Sequence, residues 1–471
     1  MNTVLKIRRF FLAPLLAPLL ALLLIIPGGC DLFHLSLADY LQDNTDYPPL
    51  AYVYVAVSSG DNANSGWTRS SPVKTLGRAL DIWAAQGSAG AEIMLLEDIP
   101  PTYAEASASG LIDFSELLST RPGITAVTLT GSGSGKTLNN GAIPNRSVVR
   151  INIPGKTITL QSLTITGGRG TPGGGIYVNN GSKLTIRDGV LVRDNETNTL
   201  GGGIYVDTIG AQITMSGGIV SGNRAPSPGS GSGGGIYVGP NGGFTMESGA
   251  IKNNEADKNG GGIYITGNAY IRQGDIGSPG EGNKAGFGAG IYMGPSGVLE
   301  LGSPGGNNPY PRIQYNLSAS SGGGVALDNG AKVIFHHGTI RNNNGSSRGG
   351  GVHIVNGELD MRGGAVTGNT AVAGQGIMVE NAGTLKMSLN ARALDPANPV
   401  YLSGVNRYIT IGDFTGSYIS GIAVVTTNGY LAGGVTPIIF GSPTQLSTYY
   451  LYFNVDGRGF GTSLDSNGRL L

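Results

Sequence analysis

Three charged residues, Glu247, Arg272 and Glu300, are the nearest thing in this chain to an acid–base group. They stand 25 and 28 residues apart, so a chain that coils once per such interval carries them on successive coils. Two carboxyl groups on either side of a glycosidic bond are the machinery of sugar hydrolysis, and a basic residue beside clustered acids suits calcium-assisted elimination. The same residues also make an ordinary surface ion pair, which contributes little to anything. They are the only candidates for catalysis, and no catalytic role is assigned to them. The second set is a row of tyrosines, Tyr177, Tyr205, Tyr237, Tyr264 and Tyr292, spaced 28, 32, 27 and 28 residues apart. On adjacent coils ~4.8 Å apart they would line up as a strip roughly 20 Å long. Such a strip either stacks upon itself or presents a platform to sugar rings or to a protein partner.

Other motifs that suggest chemistry lack their context. Gly131–Thr137 reads GSGSGKT, but the first glycine of a phosphate-binding loop would fall on Thr130, and no helical pattern follows. No His/Cys set has metal-ligand spacing, and aspartates do not recur at the nine-residue period of calcium-binding repeats. No motif implies a cofactor. Lys+Arg and Asp+Glu balance at 30 each, and no basic cluster follows the N-terminus, so the charge footprint of a nucleic-acid binder is missing. Loss of an N-terminal signal with Lys6, Arg8 and Arg9 leaves 27 against 30, a net −3.

The elements that must position these residues are written in a hexapeptide, Gly-Gly-Gly-Ile-Tyr-Val. It stands at 173–178, 201–206 and 233–238, returns as 260–265 and 288–293, and persists in worn form at 322–327, 349–354 and 374–379. A fixed period of this size, with 82 glycines in 471 residues and no every-third rule, means a solenoid rather than collagen. The period-2 rule turns Ile and Val inward and Tyr outward. A second inward pair follows in each coil, from Leu184/Ile186 through Phe244/Met246 and Ala269/Ile271 to Leu359/Met361. A third short strand then leads to an asparagine, Asn195, Asn223, Asn254, Asn283, Asn316, Asn343 or Asn369. Asparagine tolerates left-handed backbone angles at a corner, and stacked amides hydrogen-bond from coil to coil. Three strands and ~27 residues per coil predict an all-β parallel β-helix. A short amphipathic helix at 75–85, with Leu76, Ala79, Leu80 and Trp83 on one face, precedes the coils.

Two resemblances extend this reading. Tyr54–Leu80, with GDNANSG at 60–66 and SPVKTLGRAL at 71–80, resembles the opening of bacterial right-handed parallel β-helix proteins of the pectate-lyase-like superfamily. That resemblance implies a right-handed coil behind a capping helix. The Gly-Gly-[Gly/Ala]-Ile and Asn pairing across 173–379 is similar to the repeats of polymorphic outer-membrane proteins. His336-His337-Gly338 partly resembles a polygalacturonase Gly-His-Gly, but the accompanying aspartate pair and Arg-Ile-Lys are missing, so no catalytic role is carried over.

The N-terminus reads as a leader. Lys6, Arg8 and Arg9 precede a 17-residue apolar run, Phe10–Ile26, broken by Pro14 and Pro18. It is short for a membrane span. Gly28 and Gly29 before Cys30, the one cysteine, resemble a bacterial lipoprotein signal in which the cysteine is lipidated. The expected organisation is a signal peptide at 1–29, a lipid-anchored tether at 30–50, a cap with irregular first coils at 51–172, regular coils at 173–389, and last coils with a C-terminal cap at 390–471. The last region is too short for an outer-membrane barrel. The expected function is a non-enzymatic, adhesin-like rod of the cell envelope, at the outer membrane or cell surface. It would bind a glycan or a cell-surface protein through one face and touch the membrane only through its lipid. The alternative is a polysaccharide lyase or glycoside hydrolase.

Overall fold

The computed structural model describes residues 52–305, 309–387, 399–403 and 409–411, and beyond them only the strand backbones 422–426, 439–440 and 453–455. The expected signal peptide, the tether with Cys30, and most of the expected C-terminal cap lie outside the described residues. Within them the chain is a parallel β-solenoid of about 10 turns. Strand accounts for 45% of the structure and helix for 5%, so nearly every long-range backbone bond runs from one coil to the next.

Every Gly-entered strand joins one parallel sheet, thirteen strands among the described residues. Its register is unbroken: Ile176, Ile204, Ile236, Ile263, Ile291, Val325, Val352 and Ile377 are successive partners. The intervals between these residues run from 25 to 34, and the surplus goes into turns such as 226–231. Inward Ile and Val are fully buried on this sheet, and the same holds for the second pairs from Leu184/Ile186 to Leu359/Met361. Each such side chain contributes about 1.5–3 kcal/mol relative to exposure.

The second and third strands of each coil belong to one larger sheet. They are separate at Lys183–Ile186 and Leu191–Arg193, but merge into single bent strands at Gln212–Ser221 and Gly243–Lys252, with register shifts around Ser216. A third, five-stranded sheet, from Arg224–Ala225 to Asn344–Gly345, was not legible in the sequence. Its core is a small cluster of Ala225, Ala256, Ala285 and Ala289, too slight to register as a hydrophobic period.

The asparagines form a continuous ladder. Each Nδ2 donates to the next Oδ1 at 2.9–3.0 Å, from Asn195 through Asn223, Asn254, Asn283, Asn316 and Asn343 to Asn369. The backbone N–H of each also donates to the next amide oxygen. The expected left-handed angle is not at these residues. It falls on the residue before, at Asp194, Gly222, Asn253, Tyr315, Asn342 and Gly368, in every coil but the one at Asn283. The corner is turned one residue early, which frees the asparagine to hold its amide in the stack.

The glycine run has three distinct reasons. Its first member is left-handed in every copy, with φ from 57° to 75° at positions from Gly173 to Gly374. In the 201–203 copy, a Cβ on Gly202 would lie 2.4 Å from the Arg224 carbonyl. A Cβ on Gly203 would lie 2.6 Å from the Gly235 carbonyl and 2.9 Å from Nδ2 of Asn223. Asparagine ladder and glycine run are therefore one device, each requiring the close approach of the other.

Helix α1, Leu76–Ala85, matches the expected helix at 75–85. Thr75 caps it, its side chain accepting from the Arg78 N–H. The Glu105 carboxylate takes the Gly77 N–H, placing negative charge at the positive end of the helix. Leu76, Ala79, Leu80 and Ile82 are buried against the first strands, Val53–Val55 and Gly90–Leu95. Trp83 packs edge-on to Trp67 at 5.3 Å and stays half-buried. A second short helix, α2, Phe114–Ser119, is capped by Asp113 and was not foreseen. Strand Lys136–Asn139 already begins at the Lys-Thr of the GSGSGKT segment, where a phosphate-binding loop would need the start of a helix.

Candidate functional site

The tyrosine strip exists, and its geometry decides what it offers. Tyr177, Tyr205, Tyr237, Tyr264 and Tyr292 are each paired in register with the next and stack with centroids 5.0–5.5 Å apart and interplanar angles of 3–15°. The ring faces are turned to one another. At one end the Arg150 guanidinium covers Tyr177, 4.4 Å from its centroid. At the other the column continues with Ala326, His353 and Met378, all buried. The strip therefore presents ring edges and hydroxyls to a partner, and its faces are engaged.

Burial raises the phenols of Tyr205, Tyr237, Tyr264 and Tyr292. Tyr264 is pushed up to about 12, by burial first and then by Tyr237 and Asp328. Tyr205 and Tyr292 are raised further, by burial and then by the carboxylates of Asp207 and Asp328. The Tyr205 hydroxyl donates to Asp207 at 3.2 Å and that of Tyr292 to Asp328 at 3.4 Å. These tyrosines are neutral donors at ordinary pH. Beyond the strip, Glu380 accepts from His353 at 2.6 Å and from Arg348 at 2.8 Å, and the His353 bond foremost holds its carboxyl below the usual range.

The charged candidates separate into two pairs. Arg272 bonds to Glu247, with both side chains well exposed. Glu300 lies in a different column, in register with Tyr270 and not with Arg272, because Tyr270 rather than Arg272 occupies that outward position. Its neighbour is His336, whose Nε2 is 3.6 Å from Oε2 of Glu300. Burial, then the charge of Arg362, pushes the His336 imidazole below its ordinary value, so it is neutral at pH 7. Among the described residues, no three His, Cys, Asp or Glu side chains are grouped to hold a metal ion.

The outward column of the second strand carries more than Glu300. Register places Thr128, Thr159, Thr185, Thr214, Thr245, Tyr270 and Glu300 on successive coils. Five threonines at intervals of 26 to 31 residues were a readable signal, but a column without charge or ring draws no attention until its neighbours are known. Tyr270 is the one aromatic residue in this run and is 40% exposed. A recess of about 260 Å³ lies on its Thr245 side and another of about 370 Å³ on its Glu300 side. Compared with protein-family models, with curated proteins and with solved structures, the chain has no match, and its reading rests on its own geometry.

Proposed function

We propose that this chain is a non-enzymatic rod of the bacterial cell envelope that holds a glycan or cell-surface protein along one face of its solenoid. A lipid on Cys30, the one cysteine, would anchor it. The observation that carries this reading is the pairing of the charged candidates. Glu247 and Arg272 neutralise each other, and Glu300 stands in a separate column. Glycosidic chemistry needs two carboxyl groups facing one bond. A binding face needs the opposite arrangement, the same modest group repeated coil after coil, and the tyrosine and threonine columns have that form.

The experiment is a paired measurement on the purified protein. It is expected to bind isolated bacterial or host cell-surface material and to release no soluble sugar from it. Appearance of reducing ends or unsaturated products, with or without calcium, would refute the non-enzymatic reading. The second reading, a polysaccharide lyase or hydrolase, is favoured by one contact, the neutral His336 beside Glu300. If that reading holds, Glu300→Gln abolishes product release.

A further inference from the structure

The geometry points to a groove centred on Tyr270 that binds a neutral oligosaccharide. This deepens the reading of the chain as a binding rod, and it moves the site away from the tyrosine strip.

Tyr270 differs from the five stacked tyrosines in what flanks it. Its partners in register are Thr245 and Glu300, neither of which has a ring. Among the described residues no hydrogen bond, ring contact or cation contact involves its side chain, and 40% of the residue is exposed. An aromatic ring with uncovered faces is what a pyranose needs, because the apolar C–H face of the sugar lies against it while the hydroxyls turn to polar groups.

Those polar groups are present. The recess on the Thr245 side is lined by Gln212, Thr214, Asn241, Thr245 and Asn268. Their side chains make no hydrogen bond to another protein group among the described residues. Amides and hydroxyls both donate and accept, which matches the mixed requirement of sugar hydroxyls. The recess on the other side adds Arg272, Glu300 and Ser303.

Spacing and charge narrow the ligand. Thr185, Thr214, Thr245 and Tyr270 lie on successive coils. Coils repeat every ~4.8 Å, and a pyranose in an extended β-linked chain advances by about the same step, so successive sugars meet equivalent positions. Arg272 is already bonded to Glu247, Glu300 is a second carboxylate, and His336 is neutral. The local balance is negative, which disfavours an acidic polymer and favours an uncharged one.

The test is calorimetric titration of the full chain with short β-1,4-linked glucose and mannose oligomers, alongside oligogalacturonate. At least one neutral oligomer is expected to bind, and oligogalacturonate to bind more weakly. Tyr270→Ala should weaken binding about tenfold or more, equivalent to about 1.4 kcal/mol. Tyr270→Phe should keep most of it. The Thr214→Val, Thr245→Val double variant should lose affinity severalfold. Failure of both neutral oligomers to bind, tighter binding of oligogalacturonate, or wild-type affinity in Tyr270→Ala would overturn the groove. If cell-surface material is still held by Tyr270→Ala as by the parent, the rod reading stands and only the groove falls. If the parent releases sugar products, the rod reading itself falls.

Discussion

Replacing Asn254 with alanine tests whether the asparagine ladder holds the coils together. Its Oδ1 accepts from the Asn223 backbone N–H at 3.0 Å and from Asn223 Nδ2 at 2.9 Å. Its Nδ2 donates to Asn283 Oδ1 and to the carbonyls of Val220 and Lys252, each at 3.0 Å. Alanine removes all five bonds. The Asn283 oxygen keeps the Asn254 backbone N–H. Two donors on Asn223, which is wholly buried, lose this acceptor. At about 1–3 kcal/mol for each orphaned buried group, the cost is about 4 kcal/mol. Asn253, one residue earlier, is the control: it is exposed, left-handed at φ 53°, and its side chain makes no hydrogen bond that the ladder uses. Asn253→Ala should cost only about 1 kcal/mol, because asparagine tolerates that left-handed backbone region better than alanine does. Because a solenoid opens coil by coil, the readout is hydrogen exchange under mild denaturant, not a single melting temperature. Protection should fall most across 220–285 in Asn254→Ala. Equal losses in the two variants, or a loss spread evenly along the chain, would refute the reasoning.

Four further outcomes follow, three from the same geometry and one, at Cys30, from the sequence. Tyr205, Tyr237, Tyr264 and Tyr292 have folded values raised above 10 by burial, so the stability they contribute is complete below pH 10 and is lost as pH rises through the folded value, about 12 for Tyr264; phenolate absorbance from these four should therefore lag behind that of free tyrosine until the coils open, and their ordinary titration near 10 would contradict the burial. Gly203→Ala, whose Cβ would meet the Gly235 carbonyl at 2.6 Å, should cost more than about 2 kcal/mol. Gly123→Ala, with nothing within 4 Å and no left-handed angle, should stay within about 0.5 kcal/mol of the parent in denaturant unfolding. Cys30→Ser should abolish labelled-palmitate incorporation and shift the protein out of the membrane fraction, and unchanged fractionation would remove the lipid anchor.

The fold was legible because one physical requirement repeats. Each coil needs a left-handed entry, two inward aliphatics and a corner amide, and Gly, Ile/Val and Asn have few substitutes in those places. The sequence still misplaced the corner by one residue, since Asn suits both a left-handed angle and an amide stack, and only the backbone separates the two. The alanine-lined sheet was invisible because Ala256 and Ala285 carry no hydrophobic period. The site was less legible. Five tyrosines in a row read either as a self-stacking column or as a platform, and the regularity that makes them conspicuous is what turns their faces upon each other. Tyr270, the irregular member of a threonine column, stands out only once register is known.

The asparagine and tyrosine ladders bear on what the solenoid does when a coil is gained or lost. Each Asn and each Tyr needs only the coil before it and the coil after it. A whole coil copied or deleted leaves both new neighbours with the same partners they had before. The architecture thus accepts a change of length in steps of one coil, ~4.8 Å each, with the kind of contact made by every remaining coil kept as it was.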